Sequence, residues 1–347
     1  MIQKIISIFF EKKHIIRNIF INFAAEKNLR PMITKLKFEP GRLGNYMELV
    51  PYNTTVERLY TAETLYSGYD MNDSKTFAES YDQRVYNYYI ETGKRTENPL
   101  EMLCRGLHDL GITRALNEFL ECYPKKKVVA VMGGNAMKRC DAAYRKIVEI
   151  SKSLTERGTL MVSGGGSGAM EATSLGGLLA GYDNSVIDDA LEMLCVAPCY
   201  HNKGYMKAAF DVLERFPHLD GYETLTIPTW FYGHEPSNPF ATHIAKYFDN
   251  SIREDTLLTI SFGGIIFTPG SAGTMQEIFQ EAVQNHYLTY DMASPMVFLD
   301  SKYWTETIPV YPFLQRLSTD GRYKNLMLSL TDSPDEVVNR ITEFQNS

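Results

Sequence analysis

Three glycine-rich stretches in this 347-residue chain each follow an apolar run and precede a helix-length segment: Gly133-Gly134-Asn135, Gly164-Gly165-Gly166-Ser167-Gly168 and Pro269-Gly270-Ser271-Ala272-Gly273-Thr274. Glycine lets backbone N–H groups approach an anion with no Cβ in the way, and a helix starting at such a turn adds unpaired donors and the positive end of its dipole. That is chemistry for a phosphate. It nominates Gly133, Gly134, Asn135, Gly165, Gly166, Ser167, Gly270, Ser271, Ala272, Gly273 and Thr274 as phosphate-binding residues. The third stretch runs on into Met275-Gln276-Glu277, which brings a carboxylate close behind the turn, and Arg253 lies upstream. A carboxylate beside a bound phosphate ester can position or deprotonate water. A guanidinium can grip phosphate bidentately or orient that carboxylate.

Each of these residues also has a structural reading. Thr274-x-x-Glu277 has the spacing of a capping box, in which Glu277 returns to the Thr274 N–H, and Arg253 stands one turn after Asp249, where an ion pair can form. Glu171 sits where an acid suits a helix start and is given no catalytic role. The stretch Thr229 to Pro236 joins Trp230, Phe231 and Tyr232 to His234 and Glu235 and can stack on a base, with His234 a candidate acid. Pro198 to Lys203 is a similar loop, in which Cys199 reads as a packed thiol and Lys203 as an exposed lysine.

Several function classes drop out. Gly133 and Gly134 are adjacent and no third glycine completes the dinucleotide fingerprint, and no Gly-Lys-Ser/Thr closes any of the three stretches. A formal charge of -7 gives no broad positive field, so a nucleic acid polymer is not the expected partner. The five cysteines are scattered and fit no zinc spacing, which leads us to expect reduced, buried thiols, no metal and a cytoplasmic protein.

The elements that must carry these residues follow from the pattern. Residues 1–31 form a basic extension holding six Lys/Arg against two Asp/Glu, with Met32 an alternative start; its apolar run Ile5 to Phe10 is too short for a signal or a membrane span, so neither secretion nor a membrane is expected. Residues 32–123 read as an irregular, tyrosine-rich, mainly helical accessory region, with a clear helical period only around Leu100 to Leu120. From residue 124 the pattern turns to short apolar runs separated by helix-length segments. Strands are expected at Val128–Met132, Thr159–Ser163, Leu194–Pro198, Leu225–Trp230, Gly264–Thr268, Met296–Leu299 and Leu326–Leu330. Helices are expected at Ala142–Arg157, Ala169–Ala180, Pro239–Ile260, Thr274–Tyr287 and Pro334–Phe344. This alternation predicts an α/β fold with a doubly wound, mostly parallel, Rossmann-like sheet over 124–347 and ligand sites at the carboxyl ends of strands.

The pairing of Gly164-Gly165-Gly166-Ser167-Gly168-Ala169-Met170-Glu171 with Pro269-Gly270-Ser271-Ala272-Gly273-Thr274-Met275-Gln276-Glu277 resembles the Lonely Guy (LOG) family, whose pattern is P-G-G-x-G-T-x-x-E with an upstream arginine. Here Ser271 stands where that family has its second glycine, and Arg253 is the best match for the arginine. The resemblance covers roughly Lys125 to Leu330. It implies hydrolysis of a nucleoside 5'-monophosphate, AMP-like or a cytokinin nucleotide, to free base and ribose 5-phosphate. It further implies Glu277 and Arg253 as catalytic residues, no cofactor beyond water, and a homo-oligomer. The alternative is a noncatalytic nucleotide-binding protein or carrier of a phosphate-bearing cofactor on the same loops, since fold and phosphate loops do not by themselves establish chemistry.

Overall fold

A computed structural model of the protein describes residues 40–347; the basic extension 1–31 lies outside the described residues. Strands β1 (Val128–Met132) and β5 (Gly264–Phe267) are buried at every position, as parallel strands covered on both faces must be. With β2 (Leu160–Ser163), β3 (Thr224–Thr226), β4 (His243–Ile244), β6 (Pro295–Leu299) and β7 (Met327–Thr331) they form a seven-stranded, all-parallel sheet in the order β4-β3-β2-β1-β5-β6-β7. The chain winds outward from β1 to β4, returns to the centre as β5 and winds out the other way. The direction therefore reverses between β1 and β5, where Val129 pairs with Gly264 and Met132 with Phe267. In a doubly wound sheet, the crevice beyond the carboxyl ends of the two strands at such a reversal is where ligands bind. The first and third glycine turns leave from those two strand ends.

Among the described residues, helices α1 (Pro40–Met47), α2 (Ala62–Leu65), α3 (Tyr81–Glu91) and α4 (Pro99–Leu120) precede the sheet. The helices flanking it are α5 (Ala142–Glu156), α6 (Ala169–Leu178), α7 (Val186–Cys195), α8 (Tyr205–Arg215), α9 (Asn250–Thr259), α10 (Ala272–Tyr287), α11 (Val310–Thr319) and α12 (Pro334–Gln345). Val129 and Val131 of β1, Ile147 and Leu154 of α5, Leu175 of α6 and Ile341 of α12 share one buried core. The fold is the expected doubly wound, Rossmann-like α/β sheet.

Three expectations are corrected. Leu194–Pro198 is not a strand: Ile187, Ala190 and Leu194 are buried at helical spacing, and Leu194 and Cys195 close helix α7. No helix spans Pro239–Ile260. Ile244, Ala245, Lys246, Tyr247 and Phe248 are buried without a break, which no single helix stripe allows; with His243 they make the edge strand β4 and its flank, and α9 begins only after Asp249, whose side chain accepts from Ser251 N at 2.8 Å. The thiols are not all buried: Cys140 and Cys122 are exposed, and Cys140 lies beside Cys195 with Cα atoms 5.5 Å apart. A separation of 55 residues hid that proximity from the sequence.

Residues 51–95 and 105–347 form one compact unit, and the described residues 40–50 belong with 96–104 to another. Within the smaller unit, the Tyr46 hydroxyl donates to Glu101 and accepts from Asn98, each at 3.2 Å. Within the larger, Tyr60 forms an antiparallel bridge to Ile244 and so extends the edge of the sheet at β4.

Candidate functional site

The three glycine turns meet at the switch point of the sheet. Gly134 N donates to Pro269 O at 3.0 Å and Gly134 O accepts from Ala169 N at 3.2 Å, so the first turn is seated between the third and the second. Beside them lies a cleft of about 430 Å³ lined by Gly133, Gly134, Asn135, Gly165, Gly166, Arg253, Ser271, Gly273, Thr274 and Glu277, all expected from the sequence. Gly270 complements it from behind: a Cβ there would run into Thr274 and come within 3.0 Å of Gly134 N, and its carbonyl accepts from the Tyr303 hydroxyl at 2.6 Å. Ala272 opens α10. Ser167 does not line this cleft but a neighbouring hollow of about 230 Å³, together with Asn135, Cys199, His201 and Tyr205.

The third turn offers donors. Helix α10 starts at Ala272 with Ser271 as its N-cap residue and no side-chain capping bond. Among the described residues, the amides of Ala272, Gly273 and Thr274 find no acceptor; Ser271, Gly273 and Thr274 line the cleft, at the positive end of the helix dipole. Ser271, exposed, keeps a free hydroxyl beside them. This start also removes the capping-box reading, because Thr274 lies inside the first turn and Glu277 is too far along the helix to return to an N-cap amide.

Glu277 therefore has no capping duty and borders the cleft. Burial pushes its carboxyl up to about 7, against the opposing pull of the Arg253 charge and with a smaller push from Glu254. A carboxyl near neutrality in a cleft is what acid–base work requires. Glu281, one turn further on, is also pushed up to about 7 by burial, but it accepts from the Ser294 hydroxyl and does not line the cleft, so geometry distinguishes the two.

Arg253 is fixed by the backbone. It forms no ion pair with Asp249; Nε donates to Ile227 O at 2.8 Å and Nη2 to Gly164 O at 3.3 Å. Gly164 is a glycine for this reason, since any Cβ would overlap the guanidinium. The remaining guanidinium N–H groups are available to the cleft.

The second turn differs from the third because a side chain of the protein already fills it. Glu235 Oε1 accepts from Ser167 N and, at 2.7 Å, from Ser167 Oγ, while Oε2 accepts from Asn135 Nδ2 at 2.9 Å. A Cβ on Gly166 would stand 2.5 Å from Glu235 Oε1. The glycines of this turn thus make room for Arg253 and Glu235: the third turn is open, the second holds Glu235, and the first joins the two.

Sequence reasoning named Glu235 only as part of a base-stacking loop and missed Glu254 as a cleft residue, and it also missed what holds them. Asp82 of α3 accepts from Trp230 Nε1 at 2.9 Å and from Lys246 Nζ, which donates in turn to Ser237 Oγ at 2.9 Å, pinning both ends of the Thr229–Asn238 loop. Asp109 of α4 accepts from Phe248 N at 3.0 Å and Asp249 N at 2.9 Å, and so fixes the start of the helix that presents Arg253. His108 binds Asp109 through Nδ1 at 2.8 Å and the Tyr60 hydroxyl through Nε2 at 2.9 Å. The accessory segment is the brace of the site. Tyr232 and His234 line the cleft from that braced loop, whereas Lys203 lies outside it. Among the described residues, no group of three or more His, Cys, Asp or Glu is placed to hold a metal ion, and no helix is long and apolar enough to cross a membrane.

No protein-family model matches the chain, and no curated protein is recognisably similar to it. Among solved structures, an X-ray structure of TM1055, a structural genomics target, is similar at 18% identity and a TM-score of 0.41, over 62% of this chain and 98% of that one.

Proposed function

We propose that this protein is a nucleoside 5'-monophosphate phosphoribohydrolase, which breaks the base–ribose bond of an AMP-like or cytokinin nucleotide to give free base and ribose 5-phosphate. The observation that carries the reading is the placement of Glu277, with its raised carboxyl, in the same cleft as the unpaired first-turn amides of α10. The amides and the Ser271 hydroxyl take the phosphate. The ribose then extends along the cleft past Glu277. As the C1'–N bond breaks, its electron pair leaves with the base, which takes up a proton from solvent; Glu277, ionised, stabilises the positive ribose, accepts a proton from the water that forms the new C1'–O bond and returns it to solvent. The resemblance of the third turn and its downstream glutamate to the LOG pattern supports the same reaction.

The decisive experiment is single-turnover incubation with a panel of nucleoside 5'-monophosphates, with chromatography for free base and equilibrium binding in parallel. Release of base is expected, together with affinity for AMP far above that for adenosine. Tight binding with no release of base would replace the enzyme with a nucleotide-binding module.

Arg253→Ala is expected to weaken AMP binding about tenfold and to slow turnover further, since it removes a charged donor that the backbone at Ile227 and Gly164 holds in place. A variant that binds AMP as tightly as wild type would remove Arg253 from the phosphate.

A further inference from the structure

The second turn holds a carboxylate where its three donors would otherwise meet a ligand anion. Ser167 N, Ser167 Oγ and Asn135 Nδ2 all converge on Glu235, and Gly166 lets the carboxylate lie against the backbone. This is the donor set of a phosphate site, satisfied from within the chain. Gly134 joins this turn to the open one, its N–H donating to Pro269 O and its carbonyl accepting from Ala169 N, and Glu235, Gly273 and Thr274 line one cleft. A second phosphate extending from a first one at the third turn toward Gly134 would meet the Glu235 carboxylate. The cleft's charge points the same way: Glu235, Glu254 and Glu277 line it against Arg253, its one Lys/Arg among the described residues.

We infer that Glu235 sets the number of phosphates the cleft accepts, acting as a built-in anion that admits a nucleoside monophosphate and rejects nucleoside diphosphates. It is a specificity residue rather than a catalytic one, and the inference rests on the monophosphate reading above. Its braces are structural: the loop that carries it is held at Trp230 and Ser237 through Asp82 and Lys246. The carboxylate is therefore presented by an anchored loop, and displacing it means breaking its hydrogen bonds to Ser167 and Asn135.

The test is calorimetric binding of AMP and ADP, without divalent cations, to the full chain and to Glu235→Gln and Glu235→Ala. Glutamine keeps an acceptor for Ser167 while removing the charge, and alanine also vacates the volume. Wild type is expected to bind AMP at least about tenfold more tightly than ADP, the scale of a like-charge clash in a partly buried site, and both variants should narrow that ratio by about tenfold. Equal affinity of wild type for AMP and ADP, or a ratio that neither variant changes, would overturn the role of Glu235 and leave the monophosphate reading standing. If wild type binds neither nucleotide, the monophosphate reading fails and this inference fails with it. Release of base from AMP by wild type, measured alongside, separates these cases from a loss of protein integrity.

Discussion

Replacing Glu277 with glutamine is expected to slow release of base by about 100-fold or more while making the protein more stable above neutral pH. The rate loss follows from removing the charge that faces the ribose and the group that takes the proton from water. The stability gain follows from linkage. In the folded state burial raises this carboxyl from an ordinary 4.5 to about 7, so the native protein holds the proton more tightly than the unfolded chain does. Its contribution to stability is fully present below the unfolded value and is lost as pH rises through the folded one. At pH 8 the wild type therefore bears a penalty of up to about 3 kcal/mol that glutamine does not. Thermal unfolding at pH 8 should show the variant melting higher, with the gap closing near pH 4. The rate of wild type should rise through pH 7 as the carboxyl ionises, and the variant should lack that limb. Equal rates for the two proteins would remove Glu277 from the chemistry, and equal melting at pH 8 would mean that the carboxyl is not held protonated by burial.

How much of this site is legible in the sequence depends on how local its causes are. β1, β5 and β6 are short runs of apolar residues buried along their whole length, and a turn at each end of the first two marks them. They emerge from pattern alone, and with them the first and third turns. The approach to β4 fails the same test because the burial of Phe240 to Phe248 comes from the edge of the sheet and from Tyr60, far away in the chain. The second turn misleads for a related reason. Its glycines look like a phosphate loop, yet Gly164 and Gly166 answer to side chains at 253 and 235, contacts with no trace in the local sequence. Asp82 and Asp109 lie in the accessory stretch, where nothing local distinguishes a brace from a surface acid.

The largest stability effect is expected at a pair of which the sequence singles out only Glu171, as an acid suited to a helix start. Arg139 and Glu171 are 1% and 0% exposed; Nε and Nη2 of the arginine donate to the two carboxylate oxygens at 2.8 and 2.6 Å, and the Tyr144 hydroxyl adds a bond to Oε2 at 2.9 Å. Burial works against the arginine's charge, and Glu171 more than offsets it, holding the guanidinium's pKa above its ordinary value. Nη1 also donates to Ala197 O and Tyr205 O, and the guanidinium lies 3.5 Å from the centre of the Tyr205 ring. The pair thus joins the loop after β1, which carries Gly133 to Asn135, to the first turn of α6 and to the segment after α7. Glu171→Ala leaves a buried arginine without its partner and is expected to cost about 3–5 kcal/mol, much of a typical domain's stability. Replacing both, Arg139→Met with Glu171→Leu, removes the desolvated charges together and should recover most of that loss. Recovery of stability need not restore the site, because methionine cannot tie Ala197 and Tyr205 to the loop. The double variant is expected to unfold at nearly the wild-type denaturant concentration while binding AMP several-fold more weakly. Denaturant unfolding of wild type, Arg139→Met, Glu171→Leu and the double variant closes the cycle, with Glu171→Ala measured beside them. A Glu171→Ala protein that unfolds with the wild type would show that this pair does not hold the fold, and a double variant with wild-type AMP affinity would show that the pair does not position the loop after β1.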